Sequence, residues 1–311
     1  MVGCANAVRG IFAGGTNPIS NVISYVMIPS SGNAQDFGDL SASLMGGGQC
    51  ANGTRALYAG GRAPTSSSAD NKNISFTTIA STGNYVDSGF DLSTEVSCRG
   101  TSNSTRGLFG SFISPYADTI DYVTIQHLGT AQDFGNLTEV RGYGMAVSSP
   151  VRAVFAGGIR TPNNLGVNTM DYVTISSTGN AADYGDLLSA TSNCQAFAGV
   201  ANATRGMFAG GTTGTRQDII QYTTIDTNGN TIDFGNLTVG RASAAGVANK
   251  VRGVCAGGRA APVQKNEIDF ITFKSFGNAT DFGDLTSAKR GLGTAASVSY
   301  THLTLPTILL V

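Results

Sequence analysis

Short apolar segments recur along the chain in a fixed order, separated by glycines and polar turns. Six times an arginine opens an apolar run that ends at or near a glycine pair, as in Arg205 to Gly211. A second run follows, with apolar residues at alternate positions, and then a Gly-Asn turn and a shorter run. Alternation with a period of two predicts β-strands that bury one face. The opening arginines, spaced by 46 to 53 residues, are Arg9, Arg55, Arg106, Arg152, Arg205 and Arg252.

Each repeat contains four predicted strands. The first is rich in small residues, as in Ala242 to Ala248, and precedes the arginine run, the alternating run and the short last run. Nowhere do apolar residues keep a helical spacing for three turns. Four strands in a repeat of about fifty residues are typical of a propeller, whose radial repetition leaves few exposed sheet edges. The sequence therefore predicts an all-β, six-bladed propeller of four-stranded blades, or a truncated seven-bladed one.

The repeats predict one domain over residues 1–296. Residues 286–296 begin the pattern of a seventh first strand, which either pairs beside the first blade as a closing strand or opens a further blade. Residues 297–311 depart from the repeat, and residues 298–307 resemble the translated read-through of a sequencing-library adapter. We expect a non-native tail there, with a genuine strand-like tail as the alternative.

The repeat resembles that of kelch-type propellers, in which a glycine pair closes the second strand and an aromatic residue marks the third. The likeness covers about residues 1–296. An aromatic residue such as Phe234 or Tyr184 stands in place of the kelch fourth-strand tryptophan, and the third repeat departs with Gly110-Ser111. The phrases RG-x-FAGG, IDYVTI and GNATDFGDL look more closely like kelch-like repeat proteins of bacteriophage tail or fibre regions. This resemblance implies a virion component, and many kelch propellers are intracellular interaction scaffolds.

Composition and charge limit the classes of partner that the protein is expected to bind. The 311 residues are 41% hydrophobic and 13% charged, with a formal net charge of −1. A chain so nearly neutral has no field to attract nucleic acid or an acidic membrane, so we expect neither nucleic-acid binding nor membrane insertion. No secretory signal pattern opens the sequence, and we expect location in a virion or otherwise in the cytoplasm. The five cysteines lack a C-x-x-C motif and are expected to be small buried hydrophobes.

Two polar positions recur with the repeat and are interpreted as structural. The opening arginines are expected to clamp strands or blades by donating to carbonyls and a carboxylate, with a basic ring for an anionic ligand as the alternative. An aspartate precedes an aromatic residue and a glycine in most fourth strands. Its carboxylate, or that of Asp39, Asp186 or Asp284, is expected to accept bonds from turn amides or a repeat arginine. These aspartates are Asp36, Asp133, Asp183, Asp233 and Asp281.

The loops after the glycine pairs are the candidate binding surface. Their lengths vary while the Gly-Asn turns stay nearly constant, and propeller geometry places these loops on one rim. Variable loops on a rigid scaffold are common recognition sites, and neutral drift of solvent loops is the alternative. The candidate ligand-binding residues are Arg62, Ser66, Asn71, Lys72, Arg160, Asn163, Asn164, Thr213, Arg216, Arg259, Gln264 and Lys265.

The sequence predicts no catalysis. It contains no nucleophile elbow, zinc-protease motif or phosphate loop, and His127 is the one histidine outside the divergent tail. We therefore expect no catalytic residue, no cofactor and no metal. The predicted function is a non-catalytic binding or structural module, associated with a phage virion or tail fibre, that recognises a glycan, a protein surface or other virion proteins. An intracellular kelch-type scaffold and a carbohydrate-active enzyme are the alternatives.

Overall fold

The computed structural model describes residues 1–16, 18–63, 71–93, 97–113, 115–160, 165–188 and 198–291. Over these ranges the chain is all-β and contains six four-stranded antiparallel sheets, numbered here sheets 1 to 6 in chain order. Within each of these sheets the four main strands are neighbours in the order in which the chain visits them, first to fourth. The predicted all-β class and the predicted four-stranded repeat are therefore confirmed.

The strands are short and occupy equivalent positions in each repeat. Sheet 1 contains Val2–Ala5, Arg9–Ala13, Val22–Met27 and Gln35–Asp39; sheet 2 contains Gly48–Ala51, Arg55–Ala59, Asn73–Thr78 and Val86–Asp91; sheet 3 contains Ser97–Ser102, Arg106–Ile113, Thr119–Thr124 and Gln132–Asn136. Sheet 4 contains Met145–Ser148, Arg152–Ala156, Thr169–Thr174 and Ala182–Asp186; sheet 5 contains Ala198–Ala201, Arg205–Ala209, Ile219–Thr224 and Ile232–Asn236; sheet 6 contains Ala245–Ala248, Arg252–Ala256, Glu267–Thr272 and Thr280–Asp284.

The first strand of sheet 6 begins three residues later than the sequence pattern predicts. It starts at Ala245, whereas Ala242 forms a separate antiparallel bridge with Arg259. Similarly, Arg141–Gly142 pairs with Ile159–Arg160, which in turn pairs with Leu165–Gly166. Within one loop, Arg259–Ala260 pairs with Val263–Gln264. The residues between a fourth strand and the next first strand, called linkers here, therefore have pairings of their own.

Apolar side chains of neighbouring sheets meet in shared clusters. Phe234 of sheet 5, 3% exposed, packs in one cluster with Met207 of its own sheet and with Ile271 and Phe273 of the next repeat. The aromatic residue of the fourth strand therefore has the predicted core position. The second repeat differs, since its Phe90 is 37% exposed.

The glycine that follows this aromatic residue permits close approach of the next sheet. Gly235 has φ +149°, and a Cβ there would lie 2.3 Å from the carbonyl oxygen of Gly277. The two segments are joined by backbone bonds from Gly277 N–H to Phe234 O (3.0 Å) and from Ala279 N–H to Asn236 O (2.7 Å). In the recurring Asp-Phe-Gly sequence, the aromatic ring is therefore buried in the core and the glycine permits the backbone contact between sheets.

Sheets 6 and 1 share the contacts that consecutive sheets share. Gly32 N–H donates to Phe282 O (2.7 Å) and Ala34 N–H donates to Asp284 O (2.8 Å), which repeats the bonds between sheets 5 and 6. The first strand of sheet 6 packs against that of sheet 1, as those of sheets 1 and 2 pack together. Their side chains also share one buried cluster that includes Phe12 and Phe282.

Candidate functional site

The loops after the glycine pairs lie beside the linkers. In four repeats, the residue that follows the glycine pair forms an antiparallel pairing with a linker residue. That linker residue stands five positions after the leucine that follows the fourth strand. The residues of these pairings, together with the loops after the glycine pairs, are called the loop face here. The pairings are Thr16 with Arg290, Arg62 with Met45, Ile159 with Gly142, and Arg259 with Ala242.

A cavity of about 250 Å³ opens on the loop face, and it is called the linker pocket here. Its lining mixes hydroxyls, two guanidinium groups and apolar side chains. Small-molecule sites commonly combine apolar walls with a few polar groups. Residues from repeats distant in sequence form it: Thr16, Met45, Gly46, Arg62, Ser97, Ile113, Tyr143, Ser243, Arg290 and Gly291.

Three lining residues occupy the same linker position and have positive φ. Gly46 has φ 74°, Tyr143 has φ 61° and Ser243 has φ 59°. This conformation suits glycine but is uncommon for other residues and costs them of order 1 kcal/mol or more. The fold therefore maintains a tyrosine and a serine in strained conformations at the pocket wall.

Positive charge accumulates at one side of the pocket. Burial, followed by the nearby guanidinium groups of Arg259 and Arg216, lowers the pKa of Arg290 below its usual range. The Nε atoms of Arg216 and Arg259 are buried and have no hydrogen-bond partner. Among the described lining residues none is acidic, although two are arginines. Arginine groups held together in this way disfavour one another and favour an anion.

The predicted binding residues fall into two groups. Arg62 lines the linker pocket, and Arg216 and Arg259 lie near enough to influence Arg290. The others lie elsewhere on the loops: Arg160 is 3.9 Å from Glu139, Lys265 is 2.7 Å from Glu267, Gln264 pairs with Arg259, Thr213 N–H donates to Thr215 O, Asn71 accepts from Asn73 N–H, and Lys72 O accepts from Leu92 N–H. Ser66, Asn163 and Asn164 lie outside the described residues.

The linker residues Tyr143, Ser243 and Arg290 were not among the predicted binding residues, because the variable lengths of the loops pointed to the loops rather than to the linkers. Their signal was present in the repeat: these residues stand five or six positions after Leu137, Leu237 and Leu285, respectively.

Each repeat arginine donates a hydrogen bond to an acceptor in another repeat. Arg106 NH1 donates to Ile175 O of sheet 4 at 2.9 Å, and its guanidinium carbon lies 4.8 Å from the centre of the Tyr122 ring. The acceptors in the next repeat are carbonyl oxygens in five cases and an amide oxygen in one: Arg9 to Ile79, Arg55 to Ile125, Arg106 to Ile175, Arg152 to Asn228, Arg205 to Phe273 and Arg252 to Ile28.

Replacing Arg106 by methionine is expected to lower the free energy of unfolding by about 1–2 kcal/mol, because a charged hydrogen bond and a cation–π contact are lost. Urea unfolding with an unchanged denaturant slope measures this. The matched control is Arg160→Met, which changes a half-exposed guanidinium on the loop face. Equal small effects of the two substitutions would show that Arg106 does not clamp the sheets.

The recurring fourth-strand aspartates have exposed side chains. Asp133 accepts from Gly135 N–H at 3.1 Å, within its own strand rather than from a turn amide. Side chains of turn asparagines provide further bonds between sheets, since Asn230 Oδ1 accepts from Asp186 N–H at 3.0 Å. All five recurring positions, Asp36, Asp133, Asp183, Asp233 and Asp281, are exposed on their strands.

Two buried ion pairs, each between a linker arginine and a third-strand aspartate, were not predicted. Arg141 is fully buried with its NH2 2.8 Å from the buried carboxylate of Asp171, and the backbone N–H and hydroxyl of Thr138 also donate to that carboxylate. Arg241 and Asp269 repeat this arrangement at 3.0 Å. Each pair attaches a linker to the third strand of the sheet that follows it.

The chemistry available at the loop face is recognition by hydrogen bonds and charge. Within the described residues, no three His, Cys, Asp or Glu side chains come together in a way that could hold a metal ion. The four described cysteines are free and buried, and burial raises the pKa of Cys98 and of Cys255 to about 12. In the same ranges no helix has the length and apolarity needed to cross a membrane.

Comparison of the sequence with protein-family models and with curated proteins gave no match.

Proposed function

We propose that this chain is a six-bladed β-propeller that acts as a non-catalytic recognition module. Two observations support six blades in a closed ring: the first strands pack in succession from sheet 1 to sheet 6 and back to sheet 1, and the bonds between sheets 6 and 1 repeat those between consecutive sheets. Closure also explains the role of residues 286–291. They form the linker that leads into sheet 1. Arg290 pairs with Thr16 in the same way as other linker residues pair with the loops of the sheets that follow them.

The linker pocket is the observation that carries the recognition function. In a closed ring it lies near the axis, where linkers and loops of several repeats converge. Its hydroxyl, guanidinium and aromatic groups can orient a ligand that presents several hydrogen-bonding groups, as glycans do. The ligand would be a glycan, or a protein surface such as that of another virion component. The resemblance of the repeat to phage tail and fibre proteins supports placing the chain in a virion.

Labelled protein applied to a glycan array, with a parallel pull-down against purified virion proteins, tests this function. We expect saturable binding that competes with the free ligand and weakens at least tenfold in Arg62→Ala. Lys274→Ala is the matched control, because Lys274 is exposed in the turn after a third strand, on the opposite side from the loop face. No saturable binding in either assay would overturn the proposal, as would binding that Arg62→Ala leaves unchanged.

A further inference from the structure

The linker pocket has the charge of an anion site. Arg62 and Arg290 line it, and Arg216 and Arg259 lie near enough to Arg290 to lower its pKa. Guanidinium groups present planar forks of N–H donors that match carboxylate, sulfate and phosphate oxygens, often with two parallel bonds. Arg216 and Arg259 do not line the pocket, and their buried Nε atoms have no hydrogen-bond partner, so they contribute positive charge beside the site rather than direct contacts.

The backbone that carries Arg290 is fixed on both sides. Its carbonyl oxygen accepts from Thr16 N–H at 2.7 Å and from the Thr16 hydroxyl at 3.1 Å. The following residue, Gly291, donates its N–H to Ser243 O at 3.0 Å. The Arg290 guanidinium therefore extends from an anchored segment between the first and last repeats, which reduces the entropy lost on binding.

The rest of the lining suits a sugar ring. Ser97, Ser243 and Thr16 contribute hydroxyl groups that can donate or accept. Tyr143, held at φ 61°, adds a flat apolar ring with a polar tip, and it packs edge-on against Tyr116 with ring centres 6.0 Å apart. A volume of about 250 Å³ is smaller than the ~300–1,000 Å³ of pockets for drug-sized ligands, which fits a single monosaccharide unit.

We infer that the linker pocket binds an anionic sugar, a monosaccharide unit bearing a carboxylate, sulfate or phosphate, with the anion on Arg290 and Arg62 and the ring against Tyr143. This inference rests on the proposed recognition function and specifies its ligand class. The inference gives Arg62 and Arg290 the role of binding the anion, which the exposed loop residues away from the pocket do not have.

Titration calorimetry with glucuronic acid and its neutral amide provides the direct test. We expect the acid to bind at least tenfold more tightly than glucuronamide, with an affinity that falls as salt rises. Glucose 6-sulfate and glucose 6-phosphate identify which anion fits best. Inorganic phosphate alone should bind at least tenfold more weakly than the best of these sugars, since it makes no contact with the ring site.

Substitutions separate this site from the rest of the loop face. Arg290→Gln should weaken binding of the acidic sugar at least tenfold, Arg290→Lys should weaken it less, and the Lys274→Gln control should leave it unchanged. Thermal unfolding should show no loss of stability in Arg290→Gln, because the substitution removes repulsion from Arg216 and Arg259. A lower melting temperature would contradict the proposed repulsion.

Equal binding of glucuronic acid and glucuronamide would overturn the inference, as would unchanged affinity in Arg290→Gln or absence of binding by all three anionic sugars. Phosphate binding as tight as that of the sugars would also overturn it by showing a simple anion site. Neutral glycans that bind on the array and depend on Arg62 would leave the proposed function standing while the anionic ligand class fails.

Discussion

Replacing Arg141 by leucine is expected to lower the free energy of unfolding by about 3–5 kcal/mol, because removal of one partner leaves the other charge of a buried pair uncompensated. Asp171 would keep its two bonds from Thr138 but would lose the guanidinium that lies 2.8 Å away. The Phe155 carbonyl, which also accepts from Arg141 at 3.1 Å, would lose that donor. Urea unfolding of the purified variant measures the loss.

The chain contains its own neutral version of this pair, which provides a matched control. Leu44 occupies the linker position of Arg141, and Ser75 occupies the third-strand position of Asp171; both are buried. The double substitution Arg141→Leu with Asp171→Ser should therefore recover most of the stability lost in Arg141→Leu. A double variant no more stable than the single one would show that the cost comes from packing rather than from the unpaired carboxylate.

Replacing Gly246 by alanine is expected to destabilise the protein by about 3 kcal/mol or more. Overpacking a core usually costs ~1–3 kcal/mol, and here the obstacle includes backbone, which yields less readily than a side chain. A Cβ at Gly246 would lie 2.2 Å from the carbonyl oxygen of Gly199 and 2.7 Å from a methyl carbon of Val200. The first strands of sheets 5 and 6 would have to move apart.

Gly129→Ala is the control for this prediction. Gly129 lies in a turn, and a Cβ there would meet nothing within 4 Å. The melting temperature of the Gly129→Ala variant should stay within about 1 °C of that of the parent protein. Gly246→Ala should lower the melting temperature by several degrees. Similar melting temperatures for the two variants would contradict the close packing of the first strands.

The repeat in the sequence predicted the elements better than the contacts between them. Alternating apolar positions located strands such as Ile219–Thr224. The recurring arginines predicted a clamp of strands or of blades without deciding between them, and Arg106 donates to Ile175 of the next repeat. These features follow from local pattern and from repetition. They need no knowledge of which sheets are neighbours.

The linker pocket and the buried ion pairs could not be predicted in the same way. Arg141 and Asp171 lie thirty positions apart, in segments that read separately as a polar connection and a strand. Arg290 lies beside Thr16 only when the end of the sixth repeat lies against the first. The positive φ angles of Tyr143 and Ser243 could not be predicted from the sequence either, because neither residue type favours that conformation.

Pairwise distances between spin labels test whether the six sheets close into a ring, as proposed. The fourth-strand positions Asp36, Asp183, Asp233 and Asp281 are equivalent and exposed, so cysteines placed there can carry labels. The buried native thiols should not react at neutral pH, since burial raises the pKa of Cys98 and Cys255 to about 12 and that of Cys4 and Cys50 well above the usual range. Cys194, outside the described residues, is replaced by serine in all variants.

Double electron–electron resonance then compares three labelled pairs. A closed ring predicts that the distance between positions 281 and 36, in the last and first sheets, equals that between 233 and 281 in consecutive sheets. It also predicts that the distance between 36 and 183, across the ring, is the longest of the three. A distance between 281 and 36 that exceeds the one between 36 and 183 would contradict closure, because it is the result expected of an open row of sheets.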